Sequence, residues 1–147
     1  MQSTTFAFCL VCLVGVTLAC QSTGPTEELS HAAAMFRCGP VDQVGTAIQL
    51  ANGPISAAQV PPNGVEVVIW EPVNALAGRT WRMNTDTAGA RYVVGGDAHV
   101  SARSGHVTVT DVDGSNNVEG IVDLHFPSFR VATHFYAPWI GNGGTCP

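Results

Sequence analysis

The chain contains no lysine, and its six basic residues are all arginine, spread singly between Arg37 and Arg130. With 11 Asp and Glu, the formal charge is −5. Nucleic-acid binding relies on clustered Lys and Arg against phosphates, so an acidic chain with scattered cations is not expected to have a nucleic-acid partner. Charge of either sign is scarce, at 12% of residues against ~25% in ordinary soluble domains. Exposed helices draw on Glu, Lys and Arg, so a surface of Thr, Ser, Asn, Gly and Gln favours sheets and turns. Common catalytic motifs are missing as well. There is no G-x-S-x-G elbow, no H-E-x-x-H, and no glycine-rich loop leading from a strand into a helix. No catalytic residue and no cofactor are expected. No apolar run reaches the ~20 residues that span a bilayer.

What is present begins with an uncharged run from Phe6 to Ala19, followed abruptly by the polar Gln21-Ser22-Thr23-Gly24-Pro25. A short apolar core ending in a small residue is the layout of a secretory signal peptide, here residues 1–19. Cys20 directly follows the small residue. Val16-Thr17-Leu18-Ala19-Cys20 resembles the lipobox of bacterial lipoproteins. The resemblance implies that the Cys20 thiol is lipidated and becomes the new N-terminus, anchoring the chain to a membrane outside the cytoplasm. Gln21, rather than Asp, after the cysteine resembles the sorting signal for the outer membrane. The alternative is ordinary signal peptidase cleavage, with Thr17 and Ala19 as the small pair, and release of a soluble secreted protein.

The five cysteines are Cys9, Cys12, Cys20, Cys38 and Cys146. The first two fall inside the leader. If Cys20 carries lipid, Cys38 and Cys146 remain, and an exported chain favours a bridge between them over two buried thiols.

Residues 20–37 read as a lipid-anchored tether. It holds either a short helix, capped by Thr26 with Leu29, Ala33 and Phe36 on one face, or no regular structure. From Cys38 to Pro147 period-two patterns dominate. Strands are expected over Gly45–Ala51, Val65–Trp70, Thr80–Met83, Ala90–Val94, Ala98–Arg103, His106–Thr110, Gly120–Phe126 and Arg130–Ala137, separated by turns rich in Pro, Gly, Asn and Asp. Short sequential strands pair antiparallel. The expected fold is all-β: an antiparallel two-sheet sandwich, with a small up-and-down barrel as the alternative.

Gly105-His106-Val107-Thr108-Val109-Thr110, Val118 to Pro127 and Phe135-Tyr136-Ala137-Pro138-Trp139 together resemble the closing meander of short bacterial lipoproteins of unknown function. In that family a last cysteine pairs with one near the start of the domain. The resemblance covers about a quarter of the chain and implies fold and compartment, with no catalytic residue.

One constellation could carry chemistry. Asp123 and His125 share a strand face, and a two-residue turn at Pro127-Ser128 places His134 opposite Ile121, diagonal to Asp123. A carboxylate and two imidazoles could hold Zn²⁺ or Cu²⁺. The competing reading is three solvent-facing polar residues alternating with a core. His99 and His106 form a weaker pair across the preceding hairpin. The loop from Asp111 to Asn117 has the oxygen-rich look of a calcium site, yet Asn116 and Val122 stand where an EF-hand needs Gly and Glu, and Asx-turn chemistry accounts for it. The function expected is a membrane-tethered extracytoplasmic domain that binds a protein or small molecule, or serves as structure. The alternatives are a metal-dependent or hydrolytic enzyme using Asp123, His125 and His134, and a small-ligand carrier with its site in a barrel mouth.

Overall fold

The structure, a computed structural model, describes residues 28–57, 61–95, 97–141 and 146. Nine strands lie among them: β1 (His31–Cys38), β2 (Val44–Ala51), β3 (Val65–Ile69), β4 (Arg79–Arg82), β5 (Ala88–Gly95), β6 (Ala98–Ser101), β7 (Ser104–Val112), β8 (Val118–His125) and β9 (Arg130–Ala137). Two short 3-10 turns, Pro40–Asp42 and Val73–Ala75, are the only helical elements described. No helix among the described residues is long and apolar enough to cross a membrane. The strands form a five-stranded sheet in the order β1-β2-β3-β5-β6 and a four-stranded sheet in the order β4-β7-β8-β9. Every paired neighbour is antiparallel. The sheets are two and do not close on one another, so the architecture is the sandwich and not the barrel.

Alternation explains the layering. In the five-stranded sheet, Ala34, Ile48, Val67 and Ala90 form one cross-strand row, and all four belong to the buried core. The four-stranded sheet answers with Val107, Val109, Val122, Leu124, Val131 and Phe135. At one end of this core Phe126 and Phe129 stack with ring centroids 4.6 Å apart, and Tyr92 meets Phe129 edge-on at 5.0 Å. The Tyr92 hydroxyl escapes to Asn63 Oδ1 at 3.3 Å. Amphipathic aromatics bury their body this way while keeping a partner for the polar tip.

Two expectations need correction. His31–Arg37 is neither helix nor tether. It is strand β1, paired along its whole length with β2 from His31↔Ala51 to Cys38↔Val44. Ala32, Ala34 and Phe36 point to one face, and Ala33, Met35 and Arg37 to the other. Alanine and methionine suit helices in isolation, but an open sheet edge supplies a ladder of hydrogen bonds that a lone short helix cannot match. The far edge of β1 is used as well: Ala34 N–H donates to Pro138 O, and Ile140 N–H donates to Ala34 O, both at 2.9 Å. Residues 20–27 lie outside the described residues. Secondly, β6 and β7 do not form a hairpin. The chain crosses between sheets at Ala102-Arg103, so His99 pairs with Val93 in one sheet and His106 with Asp123 in the other.

Candidate functional site

Cys20 lies outside the described residues. Cys38 and Cys146 are joined by a disulfide with Cα atoms 5.4 Å apart, closing a sequence separation of 108 residues. The bridge ties the end of edge strand β1 to the last part of the chain, a constraint of about 4 kcal/mol in the loop-entropy account.

The Asp123, His125 and His134 group takes its expected register. Phe126 N–H donates to Phe129 O, and Ile121 lies opposite His134. The carboxylate is committed elsewhere. Asp123 accepts Nε and Nη2 of Arg130, each at 2.7 Å. Arg130 therefore holds the Asp123 carboxyl below its usual range, against a smaller opposing effect of burial. His125 Nε2 lies 3.4 Å from Asp123 Oδ1, and no group of three metal-capable side chains exists among the described residues. The three side chains therefore do not gather around one point among the described residues. The Arg130 guanidinium sits diagonally across the β8–β9 ladder from Asp123, a position legible in the sequence once the register is known.

In the Asp111–Asn117 loop, Asp113 accepts Ser115 N–H at 2.8 Å and Asn117 N–H at 3.0 Å, with Asn117 Nδ2 at 2.8 Å. These bonds, the Asn117 side chain foremost, lower the Asp113 carboxyl below its usual range. The loop is an Asx turn whose carboxylate is already occupied.

A different site lies on the outer face of the five-stranded sheet. A groove of about 450 Å³ is lined by Arg37 from β1, Glu66 and Val68 from β3, Trp70, Gly89 and Arg91 from β5, and Ser101 from β6. Period two puts Gln49, Glu66, Arg91 and Ser101 in one cross-strand row. Glu66 is 1% exposed, a depth at which an unpaired carboxylate would be costly. Two guanidiniums compensate it: Arg91 Nε at 2.7 Å on one oxygen, and Arg37 Nη2 in close contact on the other. Gln49 Nε2 adds a longer contact at 3.5 Å. The site holds two positive charges for one negative. Among the described residues the buried Gln49 Oε1 has no hydrogen-bond partner.

Trp70 forms one wall, and two glycines hold it. A Cβ at Gly39 would come within 2.8 Å of the indole and one at Gly45 within 2.6 Å, so only glycine lets the ring lie on that backbone. Gly89 has the opposite surroundings: a Cβ there would meet nothing within 4 Å, and its missing side chain is open groove. Val68 sits directly across from it in the β3–β5 ladder.

The sequence expectations do not include this site: Val65–Trp70 is expected as a strand, with no role for Glu66. A single charge inside a β-branched strand was the available signal. Its partners were not legible, because Arg37 and Arg91 are 29 and 25 residues away. The site is also neither apolar nor in a barrel mouth, where a carried ligand was expected.

Set against protein-family models, curated proteins and solved structures, the chain matches none of them.

Proposed function

We propose that the chain is an exported, lipid-anchored β-sandwich that works by binding a ligand in the groove on its five-stranded sheet. The observation that carries the binding reading is the charge arrangement around Glu66. A purely structural domain gains little from two half-exposed guanidiniums on one buried carboxylate beside an open cleft, since apolar residues of similar volume are often as stabilising. Clefts that bind small molecules combine a few placed polar groups with an aromatic or apolar wall, in volumes of ~300–1,000 Å³.

The anchor rests on the uncharged run from Phe6 to Ala19 and on Cys20 directly after it. The Cys38–Cys146 bridge supports the same compartment, because disulfides persist where the surroundings are oxidising. Gln21 favours the outer membrane. One acyl chain binds a membrane only marginally, so stable anchoring calls for more than one.

The test is fractionation of cells carrying the wild-type chain or Cys20→Ala. The wild type is expected in the membrane fraction at high salt, with a mature mass that starts at Cys20 and includes acyl chains. Cys20→Ala is expected in the soluble fraction. If the variant still sediments with membranes at high salt, the lipid is not what holds it there.

A further inference from the structure

The groove also restricts what it can hold. We propose that its ligand is a ring-bearing carboxylate, whose single COO⁻ meets the guanidiniums of Arg37 and Arg91 while its ring lies against Trp70 over Gly89. This deepens the proposed function and rests on the groove being a binding site.

Charge selects the anion. Two arginines share one buried glutamate, leaving one positive charge in surplus. A monoanion restores neutrality, whereas a dianion such as a phosphate monoester overshoots it in front of Glu66. The arginine fork also matches the planar carboxylate, and the guanidinium N–H groups not used by Glu66 are the donors available to it. Both side chains are partly exposed, at 36% for Arg37 and 41% for Arg91, so a ligand can reach them without unfolding the sheet.

Shape selects the ring. Trp70 is braced by Gly39 and Gly45, so its wall is in place before the ligand arrives. Beside it, Gly89 leaves a gap in the sheet face that Val68 borders. A flat or chair-shaped ring fits such a slot, and a flexible chain would lose more conformational freedom there. Aromatic acids and cyclic sugar acids share this chemistry.

The experiment is calorimetric titration of the full chain, extracted from membranes, with benzoate, glucuronate and neutral glucose. One of the two carboxylates is expected to bind saturably, and the preferred one identifies the source. Glucose is expected to show no binding at the same concentration. Gly89→Leu fills open space and is expected to keep the wild-type urea midpoint while weakening binding about tenfold or more. Glu66→Gln removes the competing charge and is expected to strengthen binding about threefold or more, an effect that shrinks with added salt. Absence of saturable binding of both carboxylates at roughly 10 mM, well above a weak ~1 mM dissociation constant, would overturn the proposal. So would unchanged affinity in a folded Gly89→Leu protein. Glucose binding as tightly as glucuronate would overturn the carboxylate assignment while leaving the groove a binding site. None of these results bears on whether Cys20→Ala leaves the membrane.

Discussion

The two sheets of the sandwich show the solvent side very different faces, although each carries an arginine–carboxylate contact. On the four-stranded sheet, Arg130 and Asp123 form two 2.7 Å hydrogen bonds in the open, flanked by His106, His125 and the Thr80–Thr108 hydroxyl pair. On the five-stranded sheet, Arg37 and Arg91 converge on a glutamate that water barely reaches. Similar geometry has different consequences in the two places. In water the Asp123 pair is screened, and either partner can be solvated alone. Glu66 has no such alternative, and loss of either guanidinium strips one buried carboxylate oxygen of its charged donor. The contact between strands adjacent in the chain is therefore the less consequential one.

The difference can be pressed experimentally. The largest effect is expected from the double variant Cys38→Ser with Cys146→Ser, which frees the edge of the five-stranded sheet beside the groove. Its stability should fall by about 4 kcal/mol, read as a lower urea midpoint. Next comes Arg91→Met. Arg37 remains on Glu66, so a loss of about 2 kcal/mol is expected, while Arg130→Met on the other sheet should lower the urea midpoint only slightly. Equal losses from the two methionine variants would break the comparison.

The smallest effect concerns acid. The folded-state carboxyl of Asp123 is held low, chiefly by its hydrogen bonds to Arg130. Glu71 is held low in the same way by Arg79, whose guanidinium also lies 4.8 Å from the Trp81 ring centroid. A depressed folded value contributes stability that is present above the unfolded-state value and is lost as pH falls through the folded one. Stability should therefore decline as the pH drops below about 4. Asp123→Asn should show a shallower decline over that range in urea midpoints measured against pH. A steeper decline in the variant would mean that Asp123 is not held low in the folded state.

Much of the strand plan was legible because alternation reports directly on burial. From Gly45 onward every expected strand lies within two residues of its place, and Arg130–Ala137 has the same bounds. His31–Cys38 was not legible, since Leu29, Ala33 and Phe36 fall on one helical face and Ala-Ala-Ala-Met shows no period-two alternation. The deciding fact is that β2 and the backbone of Pro138 and Ile140 offer β1 partners on both sides. The groove escaped for a related reason. Glu66, Arg37 and Arg91 sit on three different strands, and only the order β1-β2-β3-β5 brings them to one face.

Composition and period-two alternation were enough to determine an antiparallel all-β protein, because those features are local and repeat every second residue. That its sheets form a sandwich and not a barrel was decided by the tertiary structure. The cysteine count pointed to one bridge. Which sheet each strand joins, and so which charges meet, depended on contacts across dozens of residues. Those contacts are set by how the two apolar faces close on each other, and no local pattern encodes that.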